Sequence, residues 1–152
     1  MFDDKDKKLL DLLQKNARMT ASDLAVEVDL SIPATAERIK KLVDNELISD
    51  FRAILNPKQN GFDVTAFIQV TMSSSDYYDD LVKFADDTNE ILECHSITGE
   101  GSHILKVRTH NTSSLETLLS VIQKWPGVIR TNTMIVMSSF KENTYLSPII
   151  YK

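Results

Sequence analysis

An α+β chain in two parts is what this sequence predicts, and three observations lead there. Residues up to about Asn45 carry apolar side chains at helical spacing between capping residues. Residues 62–140 alternate strand-like and helix-like stretches in the order β-α-β-β-α-β. Between the two lies a turn-rich stretch, Asn56-Pro57-Lys58-Gln59-Asn60-Gly61. The length, 152 residues, suits one medium domain or two small ones, and 42% hydrophobic with 26% charged residues is an ordinary globular composition.

The first part reads as three short helices. Asp3 caps the first, with Asp6 at its third position and Leu9, Leu10 and Leu13 on the apolar stripe. Residues 16–18 break that pattern. Thr20 with Asp23 forms a capping-box pair for a second helix, whose apolar face is Leu24, Ala25 and Val28. After the short connection Asp29-Leu30, Ser31 caps a third helix, and Pro33 is tolerated in its first turn. On this third helix Ile32, Ala36, Ile39, Leu42 and Val43 are expected to face inward, leaving Ala34, Glu37, Arg38 and Lys41 outside. A helix, a tight turn and a second helix with such an outer face is the helix-turn-helix pattern. The recognition helix of that pattern sets its exposed N-terminal residues against base edges in the major groove.

Residues 47–55, Leu47-Ile48-Ser49-Asp50-Phe51-Arg52-Ala53-Ile54-Leu55, read as a strand. The expected division is therefore 1–50, a strand and hinge over 51–61, and 62–152. In the last part Val64, Ala66, Ile68, Val70 and Met72 alternate with polar residues as a half-buried strand does. Ser73-Ser74-Ser75-Asp76 caps a helix carrying Tyr78, Leu81, Val82 and Ala85. Residues 91–98 and 102–109 form a hairpin about Gly99-Glu100-Gly101; Asn111-Thr112-Ser113 caps a second helix with Leu115, Leu118, Leu119 and Ile122. Trp125-Pro126-Gly127 stops that helix, and 128–140 is the last strand. This order is a ferredoxin-like sandwich, one sheet face of which needs covering, so association through the sheet is expected.

Charge and composition exclude several classes. The net charge of -5 argues against a protein that coats nucleic acid through bulk positive charge. Residues 1–60 carry 10 basic against 11 acidic side chains and residues 61–152 carry 7 against 11, so the acidity lies mainly in the second part and leaves room for a basic surface on the first. A single cysteine, Cys94, excludes an internal disulfide and a Cys-rich zinc site. No apolar run approaches the roughly 20 residues of a membrane helix, and the acidic start lacks a signal-peptide core; a cytoplasmic protein with no membrane partner is expected. His95, His103 and His110 are isolated, and there is no phosphate loop, zinc signature or nucleophile elbow, so neither metal, cofactor nor catalysis is expected. Cys94 and His95, adjacent on a strand, should point to opposite faces. Tyr77, Tyr78 and Trp125 are read as packing and surface residues.

Along nearly its whole length the sequence resembles the Lrp/AsnC (feast/famine) family of transcription regulators. The resemblance rests on Asp3-Asp4-Lys5-Asp6-Lys7-Lys8-Leu9-Leu10, on Asn16-Ala17-Arg18 leading into Asp23-Leu24-Ala25, and on Leu30-Ser31 through Arg38-Ile39-Lys40-Lys41-Leu42. It continues through Leu47-Ile48, Thr98-Gly99, Leu105-Lys106-Val107 and Pro126-Gly127-Val128, followed by Thr131-Asn132-Thr133. Each stretch is weak alone; their order and spacing are specific. The resemblance implies a winged-helix-like helix-turn-helix followed by a ligand-sensing, dimerising RAM domain.

Two sets of site residues follow. By the resemblance and the helical geometry, Ser31, Ala34, Glu37, Arg38 and Lys41 are the expected DNA contacts: a capped helix N-terminus for phosphate, cations for phosphate or guanine, and a carboxylate for cytosine. In the family, the loop following a Gly-Asp-Tyr-Asp-like stretch lines a cleft between dimers where an amino acid binds; the matching positions here are Gly99, Glu100, Gly101 and Ser102, after Thr98. Glu100 replaces the first acid, and Ser102 stands where a second Asp, the partner of a ligand ammonium, is common. Thr131 and Thr133 are candidates to complete this effector site from a neighbouring subunit. The expected partners are therefore double-stranded DNA with roughly palindromic sites, an amino acid or related effector, and further copies of the chain, as a dimer and an octamer of four dimers. Two alternatives are an architectural DNA-wrapping protein without an effector and a small-molecule sensor acting through protein contacts. The tail residues Leu146, Pro148, Ile149, Ile150 and Tyr151 are apolar enough to pack on a neighbouring subunit.

Overall fold

The computed structural model describes residues 2–147. It divides into two compact units: residues up to Ile54 together with the tail from Lys141, and residues from Leu55 to Phe140. The sequence expectation gave the tail to the second part; its described portion packs with the first. Pro148, Ile149, Ile150 and Tyr151 lie outside the described residues.

The first unit contains α1 (Asp4–Lys15), α2 (Ala21–Val28) and α3 (Ile32–Asp44). Each starts where its capping residue predicts. The Asp3 carboxylate accepts the Asp6 N–H while Asp6 accepts the Asp3 N–H, and Thr20 and Asp23 make the same reciprocal pair for α2. Leu9, Leu13, Leu24, Val28 and Leu42 form the core, with Ile39 and Ile48 against it. Asp29 ends α2 in the left-handed conformation (φ 52°), which makes the turn into α3 tight. The tail lies on α1: the Tyr145 hydroxyl donates to Asp11 at 2.6 Å, and the Gln14 side-chain amide bonds both the N–H and the C=O of Leu146.

Residues 47–55 are not a strand. Leu47, Phe51 and Leu55 are all exposed, and no strand among the described residues pairs with this segment. An extended segment acquires a ladder only from a partner. Here the backbone N–H groups of Leu47 and Ile48 instead close the end of α3 on the Leu42 carbonyl.

The second unit contains β1 (Val64–Met72), α4 (Tyr78–Asp86), β2 (Ile91–Ser96), β3 (His103–Thr109), α5 (Thr112–Gln123) and β4 (Val128–Ile135). The last strand ends five residues short of the expected 140. The four strands are antiparallel in the order β2-β3-β1-β4, which is the ferredoxin-like arrangement. Ala66, Ile68, Val70, Leu105 and Val107 point to the helix-covered face and are fully buried beneath Leu81, Leu115, Leu118 and Ile122. On the opposite face the register aligns Phe67 with Lys106 and Met134, and Gln69 with Ile104 and Asn132. Gly127 (φ 83°) lets the chain pass under Tyr77: a Cβ there would lie 2.4 Å from that ring.

Candidate DNA interface and effector turn

The α3 helix is built around a buried line that differs from the expected one. Thr35 and Leu42 are buried, while Ala34, Arg38 and Ile39 are half-buried. Ile32 is 51% exposed, Val43 is 40% exposed, and Ala36 is exposed as well. The inward face is thus rotated by less than one residue step of about 100° from the stripe of apolar residues. The reason is chemical. Thr35 passes for an outward residue by type, yet its hydroxyl donates to the Ser31 carbonyl at 3.0 Å, so it buries without an unpaired group. Ile32 and Val43 lie outside the core cluster of the unit.

The outer face that results is centred on Pro33, Ala36 and Lys40, flanked by Glu37 and Lys41. Lys41 pairs with Glu37 at 2.8 Å, and this cation holds the Glu37 carboxyl below its usual range. Ala36, expected inside, and Lys40 are absent from the expected outer set; counting seven back from Leu42 to place the buried line at Thr35 finds both. At the helix start, the Ser31 hydroxyl accepts the Ala34 N–H at 3.3 Å and Pro33 has no N–H, so much of the anion-binding capacity of this terminus is already spent. Arg38 faces the protein. Its Nη1 lies 2.7 Å from Asp6 Oδ1 and 2.9 Å from Asp3 Oδ2, and the pair raises the guanidinium pKa further above its ordinary value.

In the second unit residues 98–102 form the hairpin turn between β2 and β3, closed by the Ile97 N–H on the Ser102 carbonyl at 3.0 Å. The turn is tied down to β1. The Ser102 N–H and hydroxyl both donate to the Val70 carbonyl, at 2.9 and 3.2 Å, and the Gln69 side-chain amide donates to the Glu100 carbonyl. Gly101 (φ 85°) permits this: a Cβ would sit 2.9 Å from the Gln69 side chain. The Ser102 hydroxyl also lies 3.0 Å from His103 Nδ1. Ser102 thus fastens the turn to β1. Glu100 is exposed and is the one acid of the turn. Thr131 and Thr133 lie across β1 on β4, opposite Val70 and Ile68, and Thr131 accepts from the Gln123 amide at 3.1 Å. Within one chain the strand β1 separates them from the turn.

The three imidazoles are engaged separately. His95 meets Glu93 at 3.2 Å, His110 meets the Gly61 carbonyl at 2.7 Å and stacks on Phe62, and His103, 2% exposed, lies edge-on to Tyr78. The register places Cys94 on the helix side of the sheet and His95 on the other. Burial raises the Cys94 thiol pKa above its ordinary value. Among the described residues no group of three or more His, Cys, Asp or Glu is arranged to hold a metal ion, and no helix is long and apolar enough to cross a membrane.

Comparison with known proteins matches this layout. Residues 2–49 fit a protein-family model described as winged helix-turn-helix DNA-binding, and residues 65–146 fit one described as Lrp/AsnC ligand binding domain. The HTH-type transcriptional regulator FL11 of Pyrococcus abyssi is 35% identical, with 95% of each chain covered. Among solved structures, a transcriptional regulator of Neisseria meningitidis in complex with L-methionine superposes with a TM-score of 0.91 at 27% identity over 96% of each chain. The feast or famine regulatory protein of Mycobacterium tuberculosis, complexed with L-methionine, superposes with a TM-score of 0.90 at 30% identity, covering 97% of this chain and all of the other. A helix-turn-helix unit and a sheet unit with a pinned hairpin turn, matched in order over nearly the full length, make this chain a DNA-binding transcriptional regulator of the Lrp/AsnC family.

Proposed function

We propose that α3 reads duplex DNA through Ser31, Glu37 and Lys41 together with Ala36 and Lys40, in an oligomer whose DNA affinity is set by an amino acid or related small molecule. The observation that carries the DNA surface is the exposed arc of α3, with small residues near its start and two adjacent lysines further on. Ala34 and Arg38 belong to the edge that faces the protein. The effector site consists of Thr98, Gly99, Glu100 and Gly101, with Ser102 holding the turn and Thr131 and Thr133 supplied by a neighbouring copy, because β1 stands between them in a single chain. The L-methionine in two similar regulators supports an amino acid as the ligand. With the Ser102 hydroxyl committed, an ammonium group is met by Glu100.

The copies associate through the sheet face that carries Phe67, Ile104 and Met134 and through residues 47–55, whose exposed apolar segment takes an identical segment as its partner. A two-fold dimer then presents two α3 helices to a roughly palindromic site, and four dimers close an octamer.

Gel-shift titration across a salt series tests the DNA surface. Lys40→Ala with Lys41→Ala weakens binding and lowers the salt slope by about two phosphates' worth, ~0.9 each; an unchanged slope removes both lysines from the interface. Light scattering after size exclusion, with and without each protein amino acid, tests the effector. A mass shift with one of them that is lost in Glu100→Gln supports the turn, and a mass indifferent to all of them overturns it.

A further inference from the structure

The fastening of Arg38 to the start of α1 has a consequence for DNA reading. We infer that Arg38, Asp3 and Asp6 form a positioning latch that sets the rotation of α3 about its own axis, and that Arg38 does not itself contact phosphate. The inference rests on the reading of α3 as the DNA-reading helix.

Three residues at i, i+3 and i+7 tie α3 inward: Thr35, Arg38 and Leu42. The Thr35 hydroxyl is spent on its own helix, and Leu42 makes apolar contact, which is non-directional. Arg38 supplies the directional bonds to α1. Its Nη1 bridges Asp6 and Asp3, two carboxylates that already cap α1 by exchanging backbone hydrogen bonds at 3.0 Å. Asp6 is 6% exposed, and a carboxylate so buried is retained only when paired. The Asp6 N–H, with Arg38 in support, holds the Asp3 carboxyl below its usual range. Around the helix Lys40 and Lys41 are respectively two and three residue steps from Arg38, so any roll of α3 about its Leu42 contact moves them directly. The latch therefore governs which side chains face a groove, although none of its members touches DNA.

The test uses the full-length protein and two duplexes, one selected from a random pool by the wild type and one of scrambled sequence, each titrated across a salt series. Electrostatics alone predicts that Asp6→Asn, which removes a negative charge, strengthens binding to both. The latch predicts the reverse for the selected duplex: a loss of about tenfold, the scale of one mismatched base pair, with scrambled binding unchanged or stronger. Arg38→Ala shows the same loss with its salt slope unchanged. Arg38→Lys restores most of the affinity, since one nitrogen makes both contacts. Helical circular dichroism confirms folding, and should Asp6→Asn unfold, Arg38→Ala against Arg38→Lys decides. A slope reduced by about 0.9 in Arg38→Ala, or selected-duplex affinity retained or raised in folded Asp6→Asn, overturns the latch. Lys40→Ala with Lys41→Ala in the same assay separates the two levels. If those lysines leave affinity and slope unchanged, the α3 reading fails and the latch with it. If they act as expected and Asp6→Asn retains its affinity, only the latch fails.

Discussion

The two units reach their structure by different means. The sheet unit closes a core of twelve buried residues on one face of a four-stranded sheet, so burial of apolar surface dominates and the polar groups follow. The helical unit buries five residues in its core and depends correspondingly more on reciprocal caps, on the Arg38 latch and on the tail across α1. A unit with few buried side chains is more sensitive to its hydrogen-bonded junctions, and those junctions are also what orients the DNA-reading helix.

Core truncation is the largest test of this contrast. Ile68→Ala and Leu9→Ala each remove a fully buried side chain and should cost about 2–5 kcal/mol. In scanning calorimetry Leu9→Ala lowers the transition of the helical unit and abolishes DNA binding while the oligomer mass is kept; Ile68→Ala disturbs the mass. If both variants lower one shared transition equally, the units are not stabilised separately. Next in size is Thr20→Ala, which deletes one cap of α2 for about 1 kcal/mol. Urea titration followed by helical circular dichroism should show that loss in the helical unit and none in the sheet unit.

The smallest expected effect is on the sheet unit and depends on pH. Burial holds His103 below its ordinary value of 6.5. Below that value the unfolded chain takes up a proton before the folded one does, so this contribution is complete above pH 6.5 and declines as the pH falls. His103→Phe keeps the edge contact with Tyr78 and removes the dependence. Melting at about pH 7.5 and about pH 5.5 compares the two, and an equal drop in both proteins sinks the assignment.

What was legible in the sequence was whatever rests on local chemistry. Asp3, Thr20, Ser31 and Asn111 all cap as their residue types predict. The alternation in β1 and the order of elements in the sheet unit were equally readable, because period-2 burial leaves a direct imprint. Tertiary context decided the rest. Arg38 looks like an outward cation until two acids from the far end of the unit are brought to it. Thr35 looks polar until its own helix satisfies it. Residues 47–55 have the composition of a strand without a partner strand in the described chain. Ser102 reads in the sequence as a departure from the acid usual in its family, but its bonds to Val70 exist only once β1 lies beside the turn.

The tail that returns to α1 also has a kinetic meaning. Its hydrogen bonds join residues 132 and 134 positions apart, Gln14 with Leu146 and Asp11 with Tyr145. On the ribosome α1, α2 and α3 emerge early, and roughly 100 further residues must be added before the tail exists, about 5–20 s at ~5–20 residues per second. During that interval the helical unit holds its shape by its small core, its caps and the Arg38 latch, without the tail's bonds to Asp11 and Gln14. The helical unit is thus completed only after the sheet unit, which lies between its two parts in sequence, has been synthesised.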